Sequence, residues 1–154
     1  MALTQTEADA LLQMNKEFAD NDPLEFWQTQ PMRYERLLLS VDRREQFILD
    51  IERGRRNRAR LKYQNRARKV IVLARFDING PAHRNPPDAP YRPGERFDCP
   101  HFHRYTEGYE TRIAYYVADV PGLTVRDLNN GVFCLEDFLR YCRVQNAPNI
   151  QMMV

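Results

Sequence analysis

The chain's three histidines, His83, His101 and His103, fall within a 21-residue window. Histidine is the side chain best suited to proton transfer near neutral pH, so the grouping raises acid–base chemistry first. If His101–Tyr105 is extended, alternation puts His101, His103 and Tyr105 on one face, with Phe102 and Arg104 on the other. Arg75 and Asp77 end a neighbouring strand candidate, and a stiff intervening loop carries His83 towards the same place. Two histidines and a cation suffice to cleave RNA without a metal. One ring removes the 2′-OH proton, another protonates the departing oxygen, and Arg or Lys stabilises the charge gathering on phosphorus. In that scheme Asp77 and Tyr105 position the histidines, Arg75 binds phosphate, and no cofactor is required.

Two other readings stay open. The histidines can anchor a proline-rich loop by bonding backbone carbonyls that the prolines leave unmatched. Alternatively, Cys99, His101 and His103 alternate onto one face as a Cys-x-His-x-His set, with Asp77 or His83 as a fourth ligand for zinc. Spacing weighs against zinc, because structural zinc sites usually draw on Cys-x-x-Cys or His-x₃-His pairs. Cys134 and Cys142 read as helix core.

A second grouping is electrostatic. Residues 53–69 hold nine basic side chains (Arg53, Arg55, Arg56, Arg58, Arg60, Lys62, Arg66, Arg68 and Lys69) and no acid. Elsewhere 14 basic residues face 21 acidic ones, so the overall +2 conceals an acidic body with one basic stripe. From Arg56 to Arg68 the even positions are mostly basic, and an extended segment would align them as one cationic face. With Asn57, Tyr63, Gln64 and Asn65 interspersed, this is the composition of a phosphate-contacting surface. About six phosphate contacts would weaken binding roughly a thousandfold between about 50 and 200 mM salt. The plainer reading is a solvated, charged edge strand that blocks edge-to-edge pairing. An acidic protein such as an antitoxin would suit the same surface.

These groups need a frame. Thr4-x-x-Glu7 has the form of a capping box, and Ala8, Leu11, Leu12 and Phe18 recur at near-helical spacing, which predicts a helix over about residues 5–19. Residues 34–53 predict an antiparallel hairpin, with Phe47, Leu49 and Ile51 on one face of its second strand and Asp50 and Glu52 on the other. The basic stripe follows, and then a central strand at 69–78. Residues 79–100 hold six of the ten prolines, which predicts a long, stiff loop. A second hairpin is read over 101–118, and Leu135, Phe138, Leu139 and Cys142 predict a helix over about 134–143. Residues 146–154 read as a tail. The fold class is α+β, a single antiparallel sheet of about five strands with an N-terminal and a C-terminal helix.

At 154 residues the chain is one domain's worth, and 43% hydrophobic with 29% charged residues excludes the disordered class. Three cysteines at irregular spacing fit no disulfide framework and point to a reducing, cytoplasmic address. The N-terminus has no secretory pattern, and no apolar run approaches the roughly 18 residues of a membrane span.

Several stretches resemble a family of small bacterial proteins known as a domain of unknown function. They are Leu3-Thr4-Gln5-x-Glu7-Ala8-Asp9-Ala10, Arg53-Gly54-Arg55-Arg56 followed by Lys62-Tyr63-Gln64, and Arg66-Ala67-Arg68-Lys69-Val70-Ile71-Val72-Leu73. The likeness continues through Gly80-Pro81-x-His83-x-Asn85-Pro86, Cys99-Pro100-His101-x-His103-x-Tyr105-x-Glu107-Gly108-Tyr109 and Leu135-Glu136-Asp137-Phe138-Leu139-Arg140-Tyr141-Cys142. It implies a fold and a site location. The chain is also similar to toxins of the TumE kind from bacterial toxin–antitoxin systems. Those place a histidine-containing loop after an Arg-x-Asp strand end, then Pro-His-x-x-His and a Leu-Glu-Asp helix; here the second segment is His-x-His, one residue shorter.

Two functions follow as expectations. The first is a cytoplasmic protein acting on nucleic acid, RNA before DNA, as a small metal-independent ribonuclease of toxin character. Its chemistry would use His83, His101, His103, Tyr105, Asp77 and Arg75, and Arg55, Arg56, Arg58, Arg60, Lys62, Arg66 and Arg68 would hold the polyanion. The second is a binding or inhibitor module of phage or mobile-element type that works through the basic surface alone.

Overall fold

The computed structural model describes residues 2–154. The capping box forms: Thr4 Oγ1 accepts from the Glu7 amide at 3.1 Å, and Glu7 Oε1 accepts from the Thr4 amide at 3.0 Å. It opens helix α1 (Gln5–Gln13), which buries Ala8, Leu11 and Leu12. The helix stops there and does not continue to residue 19. Met14 turns extended, and Lys16–Phe18 form strand β1, so Phe18 enters the core from a strand.

Lys16 explains the stop. Its side chain is fully buried, and the ammonium donates to the carbonyls of Leu12 (2.8 Å), Met14 (3.0 Å) and Cys142 (2.7 Å) while lying 4.6 Å from the centroid of the Phe47 ring. A cation is favoured at a helix C-terminus, where carbonyls lack intrahelical partners. Here one cation serves the ends of both helices, because Cys142 caps α2 (Gly131–Tyr141). Burial pushes the Lys16 pKa down to about 8, so the ammonium is still charged at neutral pH.

The centre is an antiparallel meander: β3 (Met32–Ser40), β4 (Gln46–Arg53), β5 (Leu61–Ala67) and β6 (Ile71–Ile78), each pairing with the next. After the loop 79–100, β9 (His101–Arg104) pairs with β6, and β10 (Ala114–Tyr115) pairs with β9. At the far side β1 pairs antiparallel with β3 and parallel with β11 (Val144–Gln145). The full order is β10-β9-β6-β5-β4-β3-β1-β11.

Two smaller sheets complete the fold. One is parallel, β2 (Leu24–Trp27) with β12 (Ile150–Met153), and the other is antiparallel, β7 (His83–Arg84) with β8 (Arg96–Phe97). The single antiparallel sheet of about five strands is therefore corrected to an eight-stranded mixed sheet with two two-stranded companions. The overlooked strands are two to four residues long, too short to display a period of two. Two of them, β11 and β12, exist because the C-terminal segment returns beside β1 and β2, a long-range pairing that local pattern does not encode.

Register sorts the meander into two faces. Tyr34, Ile51, Tyr63, Phe76 and Phe102 stand opposite one another in one cross-strand row of the core face. Helix α2 lies over that row, the Phe138 ring being 6.3 Å from Tyr63 and 6.1 Å from Phe102 between centroids. The Tyr63 hydroxyl donates to the Gly131 carbonyl at 2.7 Å. A Cβ at Gly131 would sit 2.7 Å from Leu61 Cδ1 and 2.9 Å from Phe26 Cζ, so only glycine lets the helix start this close to the sheet. A register shift at Asn65/Arg66 changes the phase of β6, which buries Leu73 and leaves Val70, just before the strand, 76% exposed. No helix among the described residues is long and apolar enough to cross a membrane.

Asp137 is the buried acid of α2. It accepts from the Arg126 amide, from Arg126 Nε and from Arg140 Nη1, each at 2.8 Å. Burial alone would raise its pKa, but these bonds prevail and hold it below the ordinary 3.8.

Two stability outcomes follow. Lys16→Met removes the ammonium that bonds three carbonyls, two of them buried, and is expected to destabilise the protein by about 3 kcal/mol, read from urea midpoints. For Asp137, a depressed folded pKa contributes stability above the unfolded value that is lost as pH falls through the folded one. Asp137→Asn should therefore destabilise by about 2 kcal/mol at pH 7, and its deficit against wild type should close as the pH drops below about 4.

Candidate functional site

Opposite the core face, the same register builds two polar rows. One runs Arg33, Glu52, Lys62, Asp77, His101, and the other Glu35, Asp50, Gln64, Arg75, His103. Their β3 ends are exposed, the β4 and β5 positions half-buried, and Asp77, His101 and His103 buried. A solvated polar face thus passes under a roof as it crosses from β3 to β9. The loop 79–100 bears on that end: Cys99 Sγ lies 3.6 Å from His101 Nδ1 and 3.7 Å from the Pro81 carbonyl, and the His83 ring lies 4.9 Å from that of His103. Asn85 fastens the loop. Its side chain donates to the carbonyls of Tyr91 and Ala114 at 3.1 Å each and accepts from the Ala114 amide at 2.7 Å, replacing strand hydrogen bonds that prolines lack.

All three histidines do come together. Asp77 Oδ2 is 3.2 Å from His101 Nε2 and 3.3 Å from His103 Nε2. On the other side of each ring, Nδ1 faces a backbone carbonyl, Asp98 at 3.2 Å for His101 and Thr111 at 2.8 Å for His103. His103 Nε2 is fully shielded and meets no partner in hydrogen-bond geometry. Burial lowers the His103 pKa below its ordinary 6.5, against the pull of Asp77. For Asp77 burial acts upwards, but the two histidines and the Arg75 guanidinium, whose Nη2 is 3.1 Å away, outweigh it and hold the carboxyl well below the usual range. His83 is half-buried, with Nε2 2.7 Å from the Arg112 carbonyl. Because a carbonyl only accepts, Nε2 carries the proton and Nδ1 of the neutral ring keeps its lone pair.

The other predicted residues divide. Tyr105 is not brought into this cluster: its hydroxyl donates to the Leu3 carbonyl (2.9 Å) and accepts from the Leu3 amide (2.7 Å), holding the N-terminal segment to the core. Cys99 lies on the Nδ1 side of His101, away from the convergent Nε2 atoms, so the Cys99–His101–His103 ligand set is not assembled. The trio whose ligand atoms lie within 4.8 Å of one another is Asp77, His101 and His103.

The stripe is not one extended cationic face. Lys62 and Arg66 point from β5 onto acids of the polar rows: Lys62 pairs with Glu52 at 3.4 Å, and Arg66 grips Asp50 at 2.7 Å and Glu35 at 3.0 Å. Arg68 pairs with Glu45 at 3.3 Å. Arg53 is buried on the opposite face, its Nε donating to the Trp27 carbonyl at 2.9 Å. Arg55, Arg56, Arg58 and Arg60 lie on the turn joining β4 to β5, in no ion pair among the described residues. That turn is tied to the end of β6: Asn57 Nδ2 donates to the Asn79 carbonyl at 2.9 Å, and Asn79 Nδ2 to the Ala59 carbonyl at 3.2 Å. A Cβ on Gly80 would come 3.1 Å from Arg60 Nε, so Arg60 lies along the start of the roof loop.

The chain belongs to the family of unknown function DUF6978. The family's sequence profile matches residues 3–144, a span that takes in the histidine cluster, its roof and the basic turn. No curated protein and no solved structure matches the chain. For this DUF6978 member, sequence reasoning missed Glu35, Asp50 and Glu52 as the partners that neutralise Lys62 and Arg66 of β5. The signal was present in the polar alternation of Asp50 and Glu52. Continuing the hairpin by one antiparallel strand sets Glu52 against Lys62 and Asp50 against Gln64.

Tyr105→Phe isolates the N-terminal tether from the cluster. It is expected to lower stability by about 1–2 kcal/mol through loss of the two Leu3 bonds. The ring resonances of His83, His101 and His103 should stay in place, and a shift in them would return Tyr105 to the site.

Proposed function

We propose that the protein is a small cytoplasmic endoribonuclease of toxin character that holds RNA on the turn bearing Arg55, Arg56, Arg58 and Arg60 and cuts it beside His83. The observation that carries this reading is the pair of bonds from Asn57 to the Asn79 carbonyl and from Asn79 to the Ala59 carbonyl, which ties the arginine-bearing turn to the strand end two residues after Asp77. The turn is thereby tied to the strand end from which the loop carrying His83 departs, which favours a phosphate held near a proton-transfer group. The three free cysteines fit a reducing compartment, and the likeness to TumE-type toxins favours RNA as substrate.

Burial favours one division of roles. His101 and His103 are 1% and 0% exposed, so they sit behind the reacting groups, and His83 is the ring that can meet a phosphodiester. Its Nδ1 takes the proton of the 2′-hydroxyl as that oxygen attacks phosphorus. Arg75 and the turn arginines stabilise the added negative charge. The bond to the 5′-oxygen breaks, that oxygen leaves with a proton from solvent, and a 2′,3′-cyclic phosphate remains. DNA, lacking the 2′-hydroxyl, would bind without being cut.

The burial of the inner pair equally favours the module without chemistry, whose histidines only hold the loop. One experiment separates the two: end-labelled single-stranded RNA and DNA of one sequence are incubated with purified protein and with His83→Ala. Cleavage of RNA alone, with cyclic-phosphate ends and a loss of about 100-fold or more in His83→Ala, supports the enzyme. Binding of both strands with neither cut sinks the enzyme and supports the module. With the four turn arginines in contact, affinity for single strands should fall roughly 50-fold between about 50 and 200 mM salt, short of the roughly 300-fold that six contacts would give on a single strand.

A further inference from the structure

We propose that Asp77, His101 and His103 form a binding site for one divalent transition-metal ion, zinc by ligand type and spacing, buried between β6 and β9. The site goes beyond the ribonuclease reading and stands without it, because its occupancy is measured with no substrate present.

Hydrogen-bond bookkeeping points to a cation. The Thr111 carbonyl can only accept, so His103 carries its proton on Nδ1 when neutral, and His101 does likewise towards the Asp98 carbonyl with the Cys99 thiol donating to the Pro81 carbonyl. Each Nε2 then presents a lone pair towards Asp77 Oδ2, itself an acceptor, at 3.2 and 3.3 Å. Three acceptors converge and none brings a proton to share. Protonating both rings would set two imidazolium ions and the Arg75 guanidinium around a single carboxylate, with His103 wholly out of water. An ion among the three removes the conflict and supplies the partner that shielded His103 Nε2 lacks.

Two of the three ligand-atom separations agree in dimension, and the third, between the histidines, is within 4.8 Å. With zinc–ligand bonds of about 2.0 Å, the edge of a tetrahedron is about 3.3 Å. The two Asp77–histidine separations have that length, whereas octahedral ligands at about 2.1 Å would stand about 3.0 Å apart. Two imidazoles and one carboxylate suit zinc and its first-row neighbours better than magnesium or calcium, which prefer all-oxygen sets. The second shell is of the kind metal sites use: each imidazole is oriented by a carbonyl at Nδ1, and Arg75 Nε holds Asp77 Oδ1 at 3.1 Å. His83, its ring 4.9 Å from His103 and 6.1 Å from His101, has Nε2 committed to the Arg112 carbonyl and keeps Nδ1 free, so a fourth position falls to water. The ion would clamp β9 to β6 beneath the roof loop, a structural role that leaves proton transfer to His83.

The test is metal content and thermal stability of the whole protein. Wild type purified without chelator is expected to carry about one zinc per chain, or to take up that amount from zinc chloride after chelator treatment, with a rise in melting temperature. Asp77→Asn should lower zinc affinity at least about 10-fold, and Cys99→Ser should leave it unchanged. If Asp77→Asn does not fold, cobalt substitution of wild type decides: visible bands of a four-coordinate ion without a thiolate-to-cobalt band support the trio. A thiolate band, or zinc lost in Cys99→Ser but kept in Asp77→Asn, overturns the assignment. So does wild type that neither carries zinc nor shifts its melting temperature with it, whatever the outcome with RNA.

Discussion

Register across β3, β4, β5, β6 and β9 is the constraint on which the other features rest. Side chains alternate with a period of two, so five paired strands line up either as one apolar and one polar face or as neither. The row from Tyr34 to Phe102 and the row from Arg33 to His101 are products of the same pairing, displaced by one residue. A slip of one position on β6 would turn Asp77 into the core and Phe76 outwards. The buried face prevents this, because Phe76 and Phe102 are packed against each other with ring centroids 5.7 Å apart, and Phe102 lies under Phe138 of α2. The site geometry is thus held by apolar burial on the far side of the sheet, and only secondarily by its own polar contacts.

What local pattern reports well is whatever repeats within a few residues. The capping box, the alternation of Phe47, Leu49 and Ile51, the spacing of Leu135, Phe138 and Leu139, and the clustering of the histidines are all of that kind. Periodicity extends helix α1 too far because Phe18 continues it, whereas the buried Lys16 two positions earlier contradicts a core-facing helix. That contradiction resolves only when Cys142, far along the chain, supplies one of the carbonyls the ammonium needs. Strands β1, β2, β11 and β12 share the same origin. Each is short, and each is stabilised by a partner distant in sequence, so its own residues need not be strong strand formers.

The charge pattern shows how folding revises an electrostatic reading. Along the chain the stripe has no acid, and an unneutralised field follows from that. In space Lys62, Arg66 and Arg68 meet Glu52, Asp50, Glu35 and Glu45 from β3, β4 and the turn between them, so this part of the surface is a network of opposite charges. Exposed pairs of this sort contribute little to stability, about 0–1 kcal/mol each, but they take these cations away from long-range attraction. The net positive potential concentrates on the turn of Arg55, Arg56, Arg58 and Arg60, on the side of the sheet where the roof loop begins. Sequence-level charge overstates how many of the stripe's residues are free of ion pairs.

The roof is the feature that simple stability does not demand. Covering His101, His103 and Asp77 withdraws three ionisable groups from water, an arrangement that is costly unless each finds a partner. Their neighbours Lys62, Gln64 and Asp50, on the same face, stay in reach of solvent, so the sheet itself does not require the burial. The loop 79–100 does the covering, and it is built to hold still: prolines limit its backbone, Asn85 bonds it to β10, and β7 pairs with β8. A polar cluster open to water would reorganise its solvent with every change of charge, whereas this one presents fixed dipoles at fixed distances. Rigid, water-excluding cover over Asp77, His101 and His103, with a more accessible histidine at its margin and the arginine turn beside it, is the arrangement on which the proposed ion and the proposed cleavage both depend.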